Sequence, residues 1–413
     1  LMDEIFGEEN FVNLITWKKT NSPKSQSNSL GNQQEYVLFY AKEKRKLKLN
    51  PVYRPFDKKS LKPYSYEDEK GKFRLIGLEA QGSQKTANRR EWDFKGRKAP
   101  WLYSLEKLNN WDKEGLIFTS KNGRISKKQY LKDMEGVLVS DIWIDEGIKP
   151  LQGSSSEYIG FLTQKPVSLI KRVLKLQDDG GDNNSFILDF FAGSGTTGEA
   201  VMQLNSDTKG NRKYILVQLP EEINPQKDKI SYDFVKKELK IKNPTIFDIT
   251  KERLYRSAKK IKEDKEKTTD IDFGFKIFET IPIWEDYNFD TEEFSSQTKL
   301  FNESNLRKED LQILLTTWKT YDGIPLTQDL KEINLDGYTG YYFDNKLYLI
   351  DKGFKTKNLK KLLTEIDENK EFNPAIVIVF GYNFESKVLR EIAENIKNYS
   401  NKKNMGVDFV TRY

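Results

Sequence analysis

The stretch FILDFFAGSGTTG, Phe186 to Gly198, restricts the fold more than any other part of the chain. An unbroken apolar run ends in a glycine-rich turn, and the helix-forming EAVMQLN follows. One helix further on, KYILVQL forms a second unbroken apolar run. Strands that are apolar throughout and alternate with helices belong to a parallel sheet covered on both faces. The expected fold class is therefore α/β, with a doubly wound, Rossmann-like sheet. Gly193 and Gly195 stand where strand passes to helix, and glycine there permits a tight turn and close approach of a ligand. Asp189 closes the first strand at its carboxyl end and Gln218 closes the second. Ser194, Thr196 and Thr197 are candidate caps in a cup of backbone amides suited to the carboxylate or hydroxyls of a small ligand. No lysine follows Gly195, so the turn is not a P-loop, and the literal GxGxxG at Gly193, Gly195 and Gly198 is by itself a weak signal.

The remaining pattern divides the chain. Residues 1–45 read as a helix, LMDEIFG, and two strands, FVNLITW and EYVLFYA, around a polar loop. Residues 46–135 are densely charged and turn-rich, with no sustained helical period before YLKDMEG, and look like an insertion. The α/β pattern resumes over 136–268, where VLVSDIWI is strand-like and Pro166 opens a helix with Val167, Ile170, Val173 and Leu174 on one side. Asp141, Asp145 and Glu146 read as strand-end and loop residues. Over 269–413 a small α+β domain is expected. Its helix face Leu311 to Trp318 and its stripe of Val388, Leu389, Ile392 and Ile396 point to a core, and Asp344-Asn345 to a tight hairpin turn.

Cysteine and histidine are both absent from the 413 residues, which removes disulfides, thiolate nucleophiles, His-based triads and Cys/His metal sites. No apolar run approaches the roughly eighteen residues of a membrane span. A cytoplasmic protein with no membrane partner is expected. The net charge of +6 says little by itself. Its distribution says more: QKTANRREWDFKGRK carries Lys85, Arg89, Arg90, Lys95, Arg97 and Lys98 with Trp92 and Phe94 interleaved, the footprint of a polyanion site.

Three ordered motifs carry a resemblance. FFAGSGTTG resembles the S-adenosylmethionine-binding motif I, FxGxG, of beta-class DNA amino-methyltransferases, here Phe191 to Gly195. TQKP, Thr163 to Pro166, is similar to their motif X. RKYILVQLPE resembles the second strand of the Mod subunits of type III restriction-modification systems. The resemblance implies a methyl transfer from S-adenosylmethionine to adenine N6. The cofactor would be held by Thr163, Lys165, Asp189, Phe191, Ala192, Gly193, Ser194, Gly195, Thr196, Thr197 and Gln218. Lys165 would face the cofactor carboxylate. Gln218 would meet the ribose hydroxyls, where many relatives have an acidic residue. Amino methylation needs no thiol, metal or histidine, which suits this composition, whereas cytosine C5 methylation uses a cysteine.

By the same resemblance the insert recognises double-stranded DNA, through Lys85, Arg89, Arg90, Trp92, Lys95 and Arg97. The partners implied are a second copy in a homodimer and a restriction (helicase-nuclease) subunit. The catalytic tetrapeptide [D/N/S]PP[Y/F/W] is not in the sequence. The nearest string, NPVY at Asn50 to Tyr53, follows a charged segment and reads as a turn. No catalytic residue is therefore assigned, and family order places the tetrapeptide upstream of Leu1. The visible motifs serve adenine N6 and cytosine N4 alike, and a catalytically empty DNA-binding protein is the alternative of another class.

Overall fold

A computed structural model describes residues 1–22, 30–81, 91–148, 150–152, 155, 157–177, 185–264, 271–281, 306–403 and 406–413. They form two compact units, Leu1–Gly274 and Phe275–Tyr413. The first begins with helix α1 (Met2–Phe6) and two strands, β1 (Phe11–Lys18) and β2 (Gln34–Tyr40), which pair antiparallel. Ile15 and Trp17 point from β1 into a core, while Leu14 beside them is exposed, the period of two that a half-covered strand requires.

A short strand β3 (Tyr53–Arg54) and helix α2 (Lys58–Leu61), capped by Asp57, lead into the insert. There β4 (Tyr66–Asp68), β5 (Gly71–Gly77), β8 (Ile117–Thr119) and β9 (Ile125–Tyr130) make an antiparallel sheet in the order β4-β5-β9-β8. A hairpin of β6 (Trp92–Phe94) and β7 (Arg97–Ala99) turns through Lys95 and Gly96, at φ 53° and 75°, the pair of positive values that a two-residue hairpin loop favours. Helix α3 (Leu105–Lys113), capped by Ser104, completes the insert. Leu108 on α3 packs with Leu78, Phe94, Ala99, Trp101 and Ile125. This helix departs from the sequence reading, which found no helical period there; nine residues are too few for a strong signal. YLKDMEG supplies only a 3-10 turn, Leu131–Asp133.

The chain then returns through β10 (Val137–Leu138), paired with β3, and β11 (Ile142–Trp143), parallel to β1. VLVSDIWI is thus two short strands, not one. Helix α4 (Val167–Lys175) follows Pro166 and lays Leu169 against Ile15, Trp17, Trp143 and Ile148. Strand β12 (Phe186–Asp189), helix α5 (Thr196–Thr208) and strand β13 (Lys213–Leu216) form a parallel β-α-β unit. Helix α6 (Lys229–Asp233) continues as a π turn, and α7 (Ile246–Asp264) packs on α5, which also touches α4. Among the described residues of this unit the parallel strands lie in two separate sheets, β11-β1-β2 and β12-β13. Phe186, Leu188 and Ile215 on the second sheet are exposed, as is Val217 just beyond β13.

In the second unit α8 (Lys308–Tyr321) precedes β14 (Lys331–Asn334), β15 (Thr339–Phe343) and β16 (Lys346–Leu349); α9 (Thr356–Glu368), β17 (Ile376–Phe380), α10 (Ser386–Lys403) and β18 (Asp408–Arg412) complete it. The five strands form one sheet in sequence order, antiparallel to β16 and parallel beyond it. Leu311, Leu314, Leu315 and Trp318 of α8 cover Tyr341, Tyr348, Ile378 and Phe380 on one face. Leu359 and Leu362 of α9, with Ile392 and Ile396 of α10, cover Leu347, Val377 and Val379 on the other. Both expected helix faces are core, but helices alternate with the last strands instead of being segregated as in an α+β domain. No described helix is long and apolar enough to cross a membrane.

Leu108→Ala should lower stability by about 2–5 kcal/mol, because a fully buried leucine leaves a cavity. The check is a lower midpoint in urea unfolding of the 413-residue chain.

Candidate functional site

Asp189 shapes the glycine turn. Its Oδ1 accepts the Phe191 amide at 3.1 Å and its Oδ2 accepts the Thr197 hydroxyl at 2.6 Å, so one carboxylate holds both ends of the loop. Gly193 and Gly195 adopt φ of 53° and 77°, where a side chain is strained. A β-carbon at Gly195 would also lie 3.2 Å from Thr250 of α7. Crowding from a helix distant in sequence therefore adds to the preference for glycine that the turn itself sets.

Gln218 reaches back from the end of the second strand, and its Oε1 accepts the Gly193 amide at 2.7 Å. The Ala192 amide donates to the Val217 carbonyl and the Gly195 amide to that of Ala192. Four amides of the expected cup, at Phe191, Ala192, Gly193 and Gly195, thus already have acceptors within the chain. Ala192, Ser194, Thr196 and Thr197 are buried framework, whereas Phe191 is 89% exposed at the rim. Thr196 Oγ1 donates to the Lys165 carbonyl at 3.1 Å, which joins the loop to the TQKP segment. Thr163 is exposed in the turn before Gln164. Gln164, itself buried, accepts the Ile159 amide and donates to the Glu157 carbonyl.

Lys165 meets a carboxylate of the chain itself: its Nζ is 2.8 Å from Glu35 Oε2, while Lys19 is 3.2 Å from Glu35 Oε1. Burial alone would raise the Glu35 carboxyl, but the hydrogen bonds from both lysines outweigh it and hold it below its ordinary range. At the other end of α4, Arg172 forms a two-pronged pair with Asp145 at 2.6 and 2.7 Å, and its guanidinium lies over Trp143. Asp145, read from the sequence as a loop residue, is thus the anchor of α4. Behind the loop, a cavity of about 690 Å³ opens between α4, α5 and α7, with Glu157, Glu199 and Arg253 among its lining residues.

Of the six residues expected to meet DNA, Lys85, Arg89 and Arg90 lie outside the described residues. The other three have partners within the insert. Trp92 packs against the Phe94–Trp101 cluster, Lys95 pairs with Asp112 and Arg97 with Glu79. NPVY is structural: the Val52 carbonyl accepts the Val139 amide and Tyr53 pairs with Leu138. Among the described residues no cluster of acidic side chains could hold a metal ion.

A parallel strand-turn-helix with glycines at the strand end, joined to a second segment 31 positions upstream, narrows the comparison with known proteins. A family profile described as DNA methylase matches residues 1–227, and one described as the type III R-M EcoP15I C-terminal domain matches residues 309–405. The chain belongs to the DNA methylase family. It is similar to the Mod subunit of the type III restriction-modification enzyme EcoP15I of Escherichia coli, 30% identical over 99% of this chain and 67% of the relative. The EcoPI Mod subunit of Escherichia phage P1 is 30% identical over 100% of this chain and 68% of its own length. The type II methyltransferase M.EcaI of Enterobacter cloacae is 35% identical but spans 48% of this chain. The methylase chain therefore spans about two thirds of the length of the Mod subunits it matches.

Sequence reasoning missed Glu35, Glu157, Thr250 and Arg253 in this DNA methylase. The first two bind partners far away in sequence. The last two face inward from a densely charged helix, where composition alone does not mark a polar residue as buried. Because Asp145 is held below its ordinary 3.8, chiefly by the Arg172 hydrogen bonds, its contribution to stability is complete above that pH and disappears as pH falls through the lower folded value. Asp145→Asn should thus cost about 1.5–3 kcal/mol at neutral pH. Its melting temperature should converge with that of the wild type on acidification below 3.8, measured by calorimetry across pH.

Proposed function

We propose that the chain is the modification component of a type III restriction-modification system and methylates adenine N6 in double-stranded DNA, with S-adenosylmethionine bound at the Asp189–Gln218 loop. The observation that carries the cofactor reading is the bond from the Gly193 amide to Gln218, which brings the carboxyl ends of two parallel strands into one site. Ligands of α/β proteins bind at such strand ends. We also assign the two parallel sheets to one doubly wound layer, supported by α4 packing on β1 and β11 while touching α5.

The residues fit a sulfonium nucleoside. The Gln218 carboxamide oxygen keeps a second lone pair for a ribose hydroxyl. Phe191 presents an exposed ring to a base. Lys165 stands where a carboxylate is already accommodated. When bound, S-adenosylmethionine supplies an electrophilic methyl group, and the protein's task is to orient it and to grip the target amine. The exocyclic amine must leave the base stack to be reached, which methyltransferases achieve by flipping the nucleotide.

DNA recognition is assigned to the insert, residues 46–135, with Lys85, Arg89 and Arg90 as its leading contacts. Lys95 and Arg97 hold partly exposed ion pairs, which cost little to exchange for a phosphate. The names of the Mod relatives describe subunits of an enzyme, which supports a restriction subunit as partner. A homodimer is part of the same proposal, as are four segments: 1–45 and 136–268 as core, 46–135 as recognition region and 269–413 as assembly domain.

Gly193→Val should abolish S-adenosylmethionine binding in titration calorimetry with circular dichroism unchanged; retained affinity would refute the site. Charge reversal at Arg89 and Arg90 should weaken duplex binding and flatten its salt dependence, by about one unit of log-log slope for each phosphate no longer neutralised. Mass spectrometry of nucleosides from treated duplex DNA should find N6-methyladenine, and N4-methylcytosine in its place would overturn the base assignment.

A further inference from the structure

Helix α7 turns one stripe inward, Thr250, Arg253, Leu254 and Ser257, all buried and spaced three and four apart as one helix face requires. Thr250 Oγ1 donates to the Gly193 carbonyl at 2.5 Å. Arg253 is 2% exposed and its guanidinium divides among three partners. Nε donates to Glu199 at 2.6 Å, Nη1 to Ser194 Oγ at 3.3 Å and Nη2 to Glu157 at 3.3 Å. The same Glu157 oxygen accepts the Val167 amide at 2.7 Å and so caps α4. Leu254 fills the space beside Gly198, where a β-carbon would approach it to 2.5 Å.

These interactions converge on two segments: the glycine turn and the start of the helix that follows TQKP. Both are sides of the cleft assigned above to S-adenosylmethionine. Stability alone could be served by an apolar stripe, since an ion pair buried this deeply gains little net free energy over packed hydrocarbon. What an arginine adds is direction: a planar fork fixes Ser194, Glu199 and Glu157 at set angles to each other.

We propose that Thr250 and Arg253 are positioning residues for the cofactor, with α7 as the strut that holds the glycine loop and the start of α4 in register. The inference rests on the cofactor site proposed above. Neither side chain touches the reacting atoms; each acts through the loop backbone and through Glu157.

The test is titration of S-adenosylmethionine into the full chain by calorimetry, with melting temperature measured beside it. The variants are Thr250→Val, which keeps the shape and removes the hydroxyl, Arg253→Gln, and Arg253→Lys as the conservative change. Ile249→Ala is the control, a buried neighbour on α7 whose apolar side chain packs against Val235 and Phe234 and can offer the loop no hydrogen bond. The expected result is a loss of affinity of about tenfold or more for Thr250→Val and Arg253→Gln, equivalent to about 1.4 kcal/mol. Arg253→Lys should recover part of it, and Ile249→Ala should melt earlier yet bind as the wild type does. If Thr250→Val and both Arg253 variants bind within twofold of the wild type, or lose affinity only as Ile249→Ala does, the strut is merely structural and the proposal falls. If Arg253→Gln does not fold, Thr250→Val and Arg253→Lys decide. A wild type without affinity for S-adenosylmethionine would instead overturn the cofactor site, and the strut with it.

Discussion

A guanidinium sequestered from water must be satisfied completely, and the first unit is arranged around that demand at Arg253. At 2% exposure, leaving this arginine unpaired would cost several kcal/mol. Its partners come from three places: the loop after β12, the first turn of α5 and the segment before α4. Those pieces are separated from it by up to 96 residues of chain, yet they must arrive together for the charge to be tolerated. The strain on Glu157 is visible in its acidity: burial pushes its carboxyl up, even though the Val167 amide and Arg253 pull it the other way.

The parts of this architecture that were legible in sequence are those encoded over short spans. An apolar run next to glycines announces a strand and its turn, and Pro166 announces a helix start. Leu311 to Trp318 and Ile392, Ile396 announce buried faces by their period. The family could be recognised because motif I and the TQKP segment are local strings. What could not be read is pairing at long range. Nothing near Lys165 says that Glu35 will reach it across 130 positions, and nothing near Gly193 says that Gln218 will take its amide.

The helix α7 shows a subtler limit. In DITKERLYRSAKK the apolar Ile249 and Leu254 mark a buried side amid many charges. Thr250, Arg253 and Ser257 share that side with them, polar residues whose burial depends on partners elsewhere. The basic-aromatic hairpin shows the same limit for pairing. Trp92 packs on the insert's core, while Lys95 pairs with Asp112 of α3 and Arg97 with Glu79, partners that the hairpin's own sequence does not announce.

The bridge between Lys165 and Glu35 has one more consequence. A ligand carboxylate that docks on this ammonium exchanges one anion for another, and Glu35 falls back on Lys19 instead of being stranded. Such a swap changes the local count of ion pairs hardly at all. Recognition at this corner should therefore respond only weakly to ionic strength, and a nucleoside without the amino-acid tail leaves the resident pair undisturbed.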